Sequence, residues 1–175
     1  MALLTQNVDG LHQLAGSSPG LVVELHGTMR AVQCLSCDAR TPMQDELARV
    51  AAGDPDPACR TCGGILKSAT ISFGQPLRED VLAAAVSAAR SCTLFLAVGT
   101  SLSVHPAAGL CEIATRAGAR LVIVNAEPTP YDRLAGSSGG AVLRGPVSEI
   151  IPAVLAGQSA SRQQTTQARA VSGTD

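Results

Sequence analysis

Two groups of residues are of types and at spacings that could do chemistry. The first is cysteine. Cys34-x2-Cys37 and Cys59-x2-Cys62 are two CxxC pairs flanking a polar stretch rich in Pro and Asp, a pattern close to that of a four-cysteine zinc site. Zinc accepts four thiolates tetrahedrally, and two residues between cysteines let one turn deliver both sulfurs to a single ion. Redox pairs or ordinary buried thiols are the alternative, and two pairs in one core-poor segment argue against it. With Cys34, Cys37, Cys59 and Cys62 all engaged, no position is left open for water or substrate, so the single zinc expected per chain is structural. Cys92 and Cys111 lie within strand and helix patterns and are expected in the core.

The second group is a set of polar residues in loops. The run TQNVDGLH (Thr5–His12) brings Gln6, Asn7 and Asp9 near the start of the chain, His26 closes the segment ELHG, VGTSLS carries Gly99, Thr100, Ser101 and Ser103, and Asn125 and Glu127 follow LVIV. Small residues and hydroxyls after a buried strand let the backbone approach a ribose or phosphate. A carboxylate past the next strand can hold sugar hydroxyls. Each feature alone is equally compatible with a capped turn, with loop polarity ahead of Pro128, or with a structural histidine. His12 and His105 lack comparable context and read as surface or capping residues.

What must position these residues is legible in the apolar runs. LVVEL (21–25) reads as a strand ending at His26-Gly27, residues 44–52 as a helix, SATISFG as extended, and residues 78–90 as an amphipathic helix. TLFLAV, a helix over 106–117 opened by proline, and LVIVN form a βαβ pattern, with nearly continuous apolar strands expected to be buried on both faces. GPVSEIIPAVL reads as a last helix. The composition of residues 157–175 predicts a disordered tail.

Bulk composition agrees with one α/β domain plus a small insertion. The chain has 175 residues, 46% of them hydrophobic, with no Trp, one Tyr and two Phe, so the core is built from aliphatic side chains. With 13 basic and 14 acidic residues and no basic block, nothing points to nucleic acid or to a membrane surface. No run reaches the ~20 apolar residues of a membrane span, and the N-terminus lacks the features of a secretion signal. The expected location is the cytoplasm, where thiols stay reduced.

Taken in order, TQNVDGLH, ELHG, the paired CxxC motifs, ISFG, VGTSLSVHPAA and LVIVN resemble the sirtuins, NAD-dependent protein-lysine deacylases, over about Leu4 to Leu155. The resemblance implies a Rossmann-like doubly wound parallel sheet, incomplete at the N-terminus, with an inserted four-cysteine zinc module. Residues 1–30 and 70–156 would form the NAD-binding part and 31–69 the zinc module. It further implies that His26 is the catalytic base and that Gln6, Asn7 and Asp9 surround the nicotinamide ribose. Gly99, Thr100, Ser101, Asn125, Glu127 and Val147 would bind the adenosine, while Ile71, Ser72, Phe73 and Gly74 form the strand that pairs with an acylated-lysine protein substrate. An imidazole suits the task of taking a ribose proton because its ordinary pKa, ~6.5, lies near working pH.

Several positions depart from the family pattern. The Gly-rich GAGxS-type loop with its preceding strand is expected upstream of Met1, where backbone N–H groups at a helix start would hold a pyrophosphate. Ala2-Leu3-Leu4 then reads as the end of a strand, and its missing neighbour predicts unpaired apolar edges. Gln75 replaces a usual Glu, and Ser72 a bulkier residue. Two further readings use the same residues: an inactive module binding zinc and ADP-ribose, and transfer of ADP-ribose to protein side chains.

Overall fold

The computed structural model describes residues 1–157, and the predicted tail over 157–175 lies outside the described residues apart from Gly157. By contacts the chain divides into two compact units, one covering Met1–Cys92 and the other beginning at Thr93. Both are α/β structures.

In the first unit, β1 (Leu3–Thr5) and β2 (Val22–Glu24) form a parallel pair, with the one-turn helix α1 (Leu11–Leu14) between them in sequence. The Leu25 amide extends that pairing by donating to Thr5 O at 2.9 Å, and Leu25 is buried. The chain then turns into β3 (Gly27–Cys34), the centre of an antiparallel sheet whose flanks are β4 (Arg40–Pro42) and β5 (Leu66–Thr70). α2 (Met43–Ala51) follows β4, and α3 (Glu79–Ser91) closes the unit. Acidic Glu79 and Asp80 in the first turn of α3 and Arg90 in its last complement the helix dipole.

The second unit is a parallel three-stranded sheet in the order β6 (Leu94–Val98), β7 (Arg120–Asn125), β8 (Ala141–Arg144). Parallel neighbours need crossovers. α4 (Leu110–Arg116), entered through a tight turn at Ala107–Gly109, supplies the first and α5 (Asp132–Ser137) the second; α6 (Val147–Leu155) follows β8. The core joins Ala97, Leu121 and Ile123 of the sheet to Ala108, Cys111, Tyr131 and Ala135. Ala108, Ala114 and Ala135 are fully buried, so small side chains bring helix and sheet backbones close where a chain poor in aromatics could not fill a wider gap.

Some elements differ from those expected. SATISFG is strand only as far as Thr70; Phe73 and Gly74 sit in a turn, and Phe73 is fully exposed. β6 is not buried on both faces: Phe95 and Ala97 turn inward, but Leu94, Leu96 and Val98 are exposed. Cys111 is in the core as expected, whereas Cys92 is half-buried at the C-terminal cap of α3. No helix among the described residues is long and apolar enough to cross a membrane.

Candidate functional site

His26 lies in the turn between β2 and β3, and three elements hold it. Its ring Nδ1 is 3.1 Å from the carbonyl oxygen of Gln6. A carbonyl can only accept, so Nδ1 carries the proton and donates, which leaves Nε2 of the neutral ring with a free lone pair. On the main chain, the His26 carbonyl accepts from the Ile71 amide at 2.8 Å. Gly27 makes this possible: its φ is +75°, and an added Cβ would lie 2.1 Å from the Ala69 carbonyl oxygen on β5.

The TQNVDGLH loop is fastened locally. Asn7 N–H donates to Thr5 Oγ1 at 3.1 Å, and the Leu11 amide donates to Asp9 Oδ1 at 2.9 Å at the start of α1. The Val8 carbonyl accepts from Met29 on β3 at 2.8 Å. Gln6 and His26 therefore meet, Ile71 is tied to His26, and Asn7 and Asp9 share the same loop. Beyond Ile71 the segment turns back, with Ser72 N–H donating to Gln75 Oε1 at 2.8 Å and Gln75 N–H to Ser72 O at 3.0 Å.

All four expected metal ligands converge. The Sγ atoms of Cys34, Cys37, Cys59 and Cys62 lie within 4.8 Å of one another, with Cys34 to Cys62 at 3.5 Å and Cys37 to Cys59 at 3.7 Å. Zinc–sulfur bonds of ~2.3 Å in a tetrahedron put sulfurs about 3.8 Å apart, so the donor set fits a zinc ion. The two knuckles are built alike. Cys34 N–H donates to Ala39 O and Asp38 N–H to Cys34 O; Cys59 N–H donates to Gly64 O and Gly63 N–H to Cys59 O. Asp38 (φ 58°) and Gly63 (φ 74°) occupy the equivalent left-handed position.

Two thiols of the cluster, Cys34 and Cys59, are drawn toward ionisation and two, Cys37 and Cys62, away from it. The Ser36 amide draws the Cys34 thiol below its ordinary value, and the amides of Cys62 and Thr61 bring Cys59 down to about 6. The Ala39 amide pulls Cys37 the same way, but the thiols of Cys62, Cys34 and Cys59, together with burial, outweigh it and push Cys37 up to about 12. Four sulfurs this close cannot all ionise until a metal shares their charge.

A buried ion pair beside the cluster is not evident from the sequence. Glu46 on α2 is 6% exposed; its carboxylate accepts from Arg49 Nη1 at 2.7 Å and Thr41 Oγ1 at 3.1 Å. Burial alone would raise the Glu46 carboxyl, but the bonds from Arg49 and Thr41 outweigh it and hold it below the ordinary range. Arg49 also reaches the carbonyl of Ala58 at 2.8 Å, next to Cys59, and Asp54 at 2.9 Å.

In the second unit the expected nucleotide-binding residues lie past the carboxyl ends of three parallel strands, where open α/β sheets bind ligands. Gly99 follows β6 with φ 61° and donates to Val124 O at 2.9 Å, and the position of a Cβ on it would be 3.5 Å from Val147 Cγ2, so these two residues abut. The Leu102 amide donates to Thr100 Oγ1 at 3.2 Å, and Ser103 Oγ to the Ser101 carbonyl at 3.3 Å. Leu102 is buried with φ 53°, a backbone conformation that non-glycine residues avoid. Asn125 Nδ2 donates to Glu127 O at 2.8 Å. Arg144, at the end of β8, donates to the carbonyls of Asn125 and Glu127 and pairs with Asp132. Neither Arg144 nor Asp132 stood out in the sequence; the apolar AVL before Arg144 was the one signal of a strand delivering it. A concavity of about 590 Å³ lined by Ser103, His105, Glu112 and Tyr131, among others, takes in Ser103 but none of Gly99, Thr100, Ser101, Asn125, Glu127 and Val147.

Comparison with known proteins follows the same pattern. A model of the Sir2 family matches residues 1–106. The NAD-dependent protein deacetylase 2 of Streptomyces coelicolor is 56% identical over 155 residues, covering 89% of this chain and 63% of that protein. The NAD-dependent protein deacetylase 1 of Bradyrhizobium diazoefficiens is 46% identical over 134 residues, covering 77% of this chain and 52% of that protein. Among solved structures, one described as "Sir2-p53 peptide-NAD+" superposes with a TM-score of 0.78 at 33% identity over 91% of this chain and 64% of that one. One described as "Sir2 bound to acetylated peptide" gives a TM-score of 0.79 at 32% identity over 91% and 65%. The chain spans between about half and two thirds of the length of these relatives.

Proposed function

This chain belongs to the Sir2 family, and on that premise we propose that it serves an NAD-dependent protein-lysine deacylase, which moves an acyl group to ADP-ribose and releases nicotinamide. The observation that carries the reading is the placement of His26: its Nδ1 lies 3.1 Å from the Gln6 carbonyl, so that in the neutral ring Nε2 is left to accept a proton. When bound, NAD supplies a ribose whose anomeric carbon receives the acyl oxygen as nicotinamide departs. His26 takes the proton of a ribose hydroxyl at Nε2 and, tied through its carbonyl to Ile71, keeps its place relative to the segment that meets the substrate. Gln6, Asn7 and Asp9 orient the nicotinamide ribose; Gly99, Thr100, Ser101, Asn125, Glu127 and Val147 orient the adenosine. Ile71, Ser72, Phe73 and Gly74 offer backbone groups to an extended acyl-lysine peptide, a mode that asks little of substrate sequence.

Cys34, Cys37, Cys59 and Cys62 would hold one structural zinc ion. The division of labour we assign is zinc holding to residues 31–69 and NAD binding to residues 1–30 and 70–156. Four reduced cysteines in one metal set suit the cytoplasm. The test is nicotinamide release from NAD in the presence of an acetyl-lysine peptide, with His26→Ala as control. Release that is lost in His26→Ala supports the reading. Release that the variant leaves unchanged overturns it. ADP-ribose binding without turnover favours a non-catalytic module, and ADP-ribose added to the peptide favours transfer to protein side chains.

A further inference from the structure

We infer that Arg144 is a positioning residue for the loop that carries Asn125 and Glu127, and that Asp132 keeps it in that role; this rests on the nucleotide reading given above. β7 ends at Asn125, whose carbonyl also accepts from the Gly145 amide at 3.3 Å, and the chain then enters the loop that carries Glu127. The carbonyls of both residues turn onto one guanidinium. Arg144 Nη1 donates to Asn125 O at 3.3 Å and also to Glu127 O, which accepts the Asn125 side-chain amide as well. The other arm, Nη2, pairs with Asp132 Oδ2. Asp132 is anchored in turn, accepting from Thr129 Oγ1 at 2.7 Å and Thr129 N at 3.3 Å. One planar fork thus joins the end of β8, the loop after β7 and the first turn of α5. A lysine ammonium is a point charge without the fork that spans these acceptors.

The consequence concerns Glu127. Its main-chain carbonyl is drawn inward to Arg144, yet among the described residues its carboxylate has neither a hydrogen bond nor an ion pair. The nearby cation is already matched by Asp132. Glu127 therefore keeps a carboxylate ready for two sugar hydroxyls, the task for which a carboxylate after the second strand is suited in a nucleotide-binding sheet. Without Asp132 the guanidinium would be released to Glu127 and would occupy the acceptor that the ribose needs.

The experiment is calorimetric titration of the 175-residue chain with ADP-ribose and with the analogue lacking the adenosine 2′-hydroxyl. Arg144→Ala, Arg144→Lys and Asp132→Asn are compared with wild type, and hydrogen exchange is followed over residues 125–129. Wild type should prefer ADP-ribose. Arg144→Ala should bind it at least tenfold more weakly and lose the preference, Arg144→Lys should fall between the two, and Asp132→Asn should lose affinity while zinc content stays unchanged. If Arg144→Ala misfolds, exchange over 125–129 in Arg144→Lys decides: faster exchange supports the inference, and the wild-type rate overturns it. Affinity within twofold of wild type with the preference intact in Arg144→Ala overturns the inference and leaves the nucleotide reading standing. No ADP-ribose binding by wild type overturns both.

Discussion

The Ile71 amide donates to the His26 carbonyl at 2.8 Å, so the residue expected to move a proton and the first residue of the segment expected to meet the substrate share a hydrogen bond. Ile71→Pro removes that donor, at a position just past β5 where an extended chain leads in. The half-buried His26 carbonyl left without its partner should cost about 0.5–1.5 kcal/mol of stability. Nicotinamide release should fall at least tenfold with zinc content unchanged. Wild-type turnover in Ile71→Pro would show that the bond does not position the imidazole.

Gly27 is under a stricter demand. With φ +75° and the Ala69 carbonyl 2.1 Å from where a Cβ would stand, Gly27→Ala forces β3 away from β5 at the residue next to His26. A loss of several kcal/mol is expected, since strain at a left-handed position of about 1–3 kcal/mol adds to a backbone clash. Chemical denaturation should read it as a fall in midpoint, and a variant as stable as wild type would contradict the close approach.

Zinc removal should act on the first unit, because the knuckles close the ends of β3 and β5, and metal binding of this type is also folding free energy. Treatment with a strong chelator, or Cys59→Ser, is expected to lower the melting temperature by about 10 °C or more. Metal analysis of untreated protein should return one zinc per chain; a return of none, after purification without chelator, would refute the four-cysteine assignment.

Glu46→Ala should destabilise the same unit, because it takes the closest carboxylate from the Arg49 guanidinium, three-quarters buried, and leaves it only Asp54 and the Ala58 carbonyl. Arg49 also fixes Ala58 beside Cys59, so the variant should give up zinc faster to a chromogenic chelator. Wild-type release kinetics would separate the ion pair from the metal site.

Acid should loosen the second unit through Asp132. The Thr129 hydroxyl, joined by the Arg144 guanidinium, holds the Asp132 carboxyl below its ordinary 3.8. Its stabilisation is therefore fully present above that value and is lost as pH falls through the lower folded one. Melting of wild type should decline as pH falls below 3.8, and Asp132→Asn should show a shallower decline; parallel curves would exclude this carboxylate as a source of acid sensitivity.

How much of this the sequence reveals depends on where the signal resides. The zinc cysteines are legible because metal geometry dictates both residue type and spacing. β3 is not, because GTMRAVQC mixes polar and apolar residues and a register shift between Gly27 and Val32 breaks its alternation. The apolar run of β6 predicts a strand but not its faces: Leu94, Leu96 and Val98 are as apolar as inward-facing residues, and one-sided exposure leaves no mark in composition. Arg144 escapes sequence reading for a different reason. Its acceptors are mainly main-chain carbonyls, which carry no residue identity to match.

Leu102 holds a buried side chain on a left-handed backbone, so core packing and local conformational preference pull against each other at one residue. In energy-landscape terms this is a point of frustration within an otherwise consistent unit. Selection for thermal stability alone would relax it first, for instance by moving the apolar side chain to a neighbouring position and placing glycine here. The bend that presents Gly99, Thr100 and Ser101 would then drift, so in this loop robustness and function are expected to evolve in opposite directions.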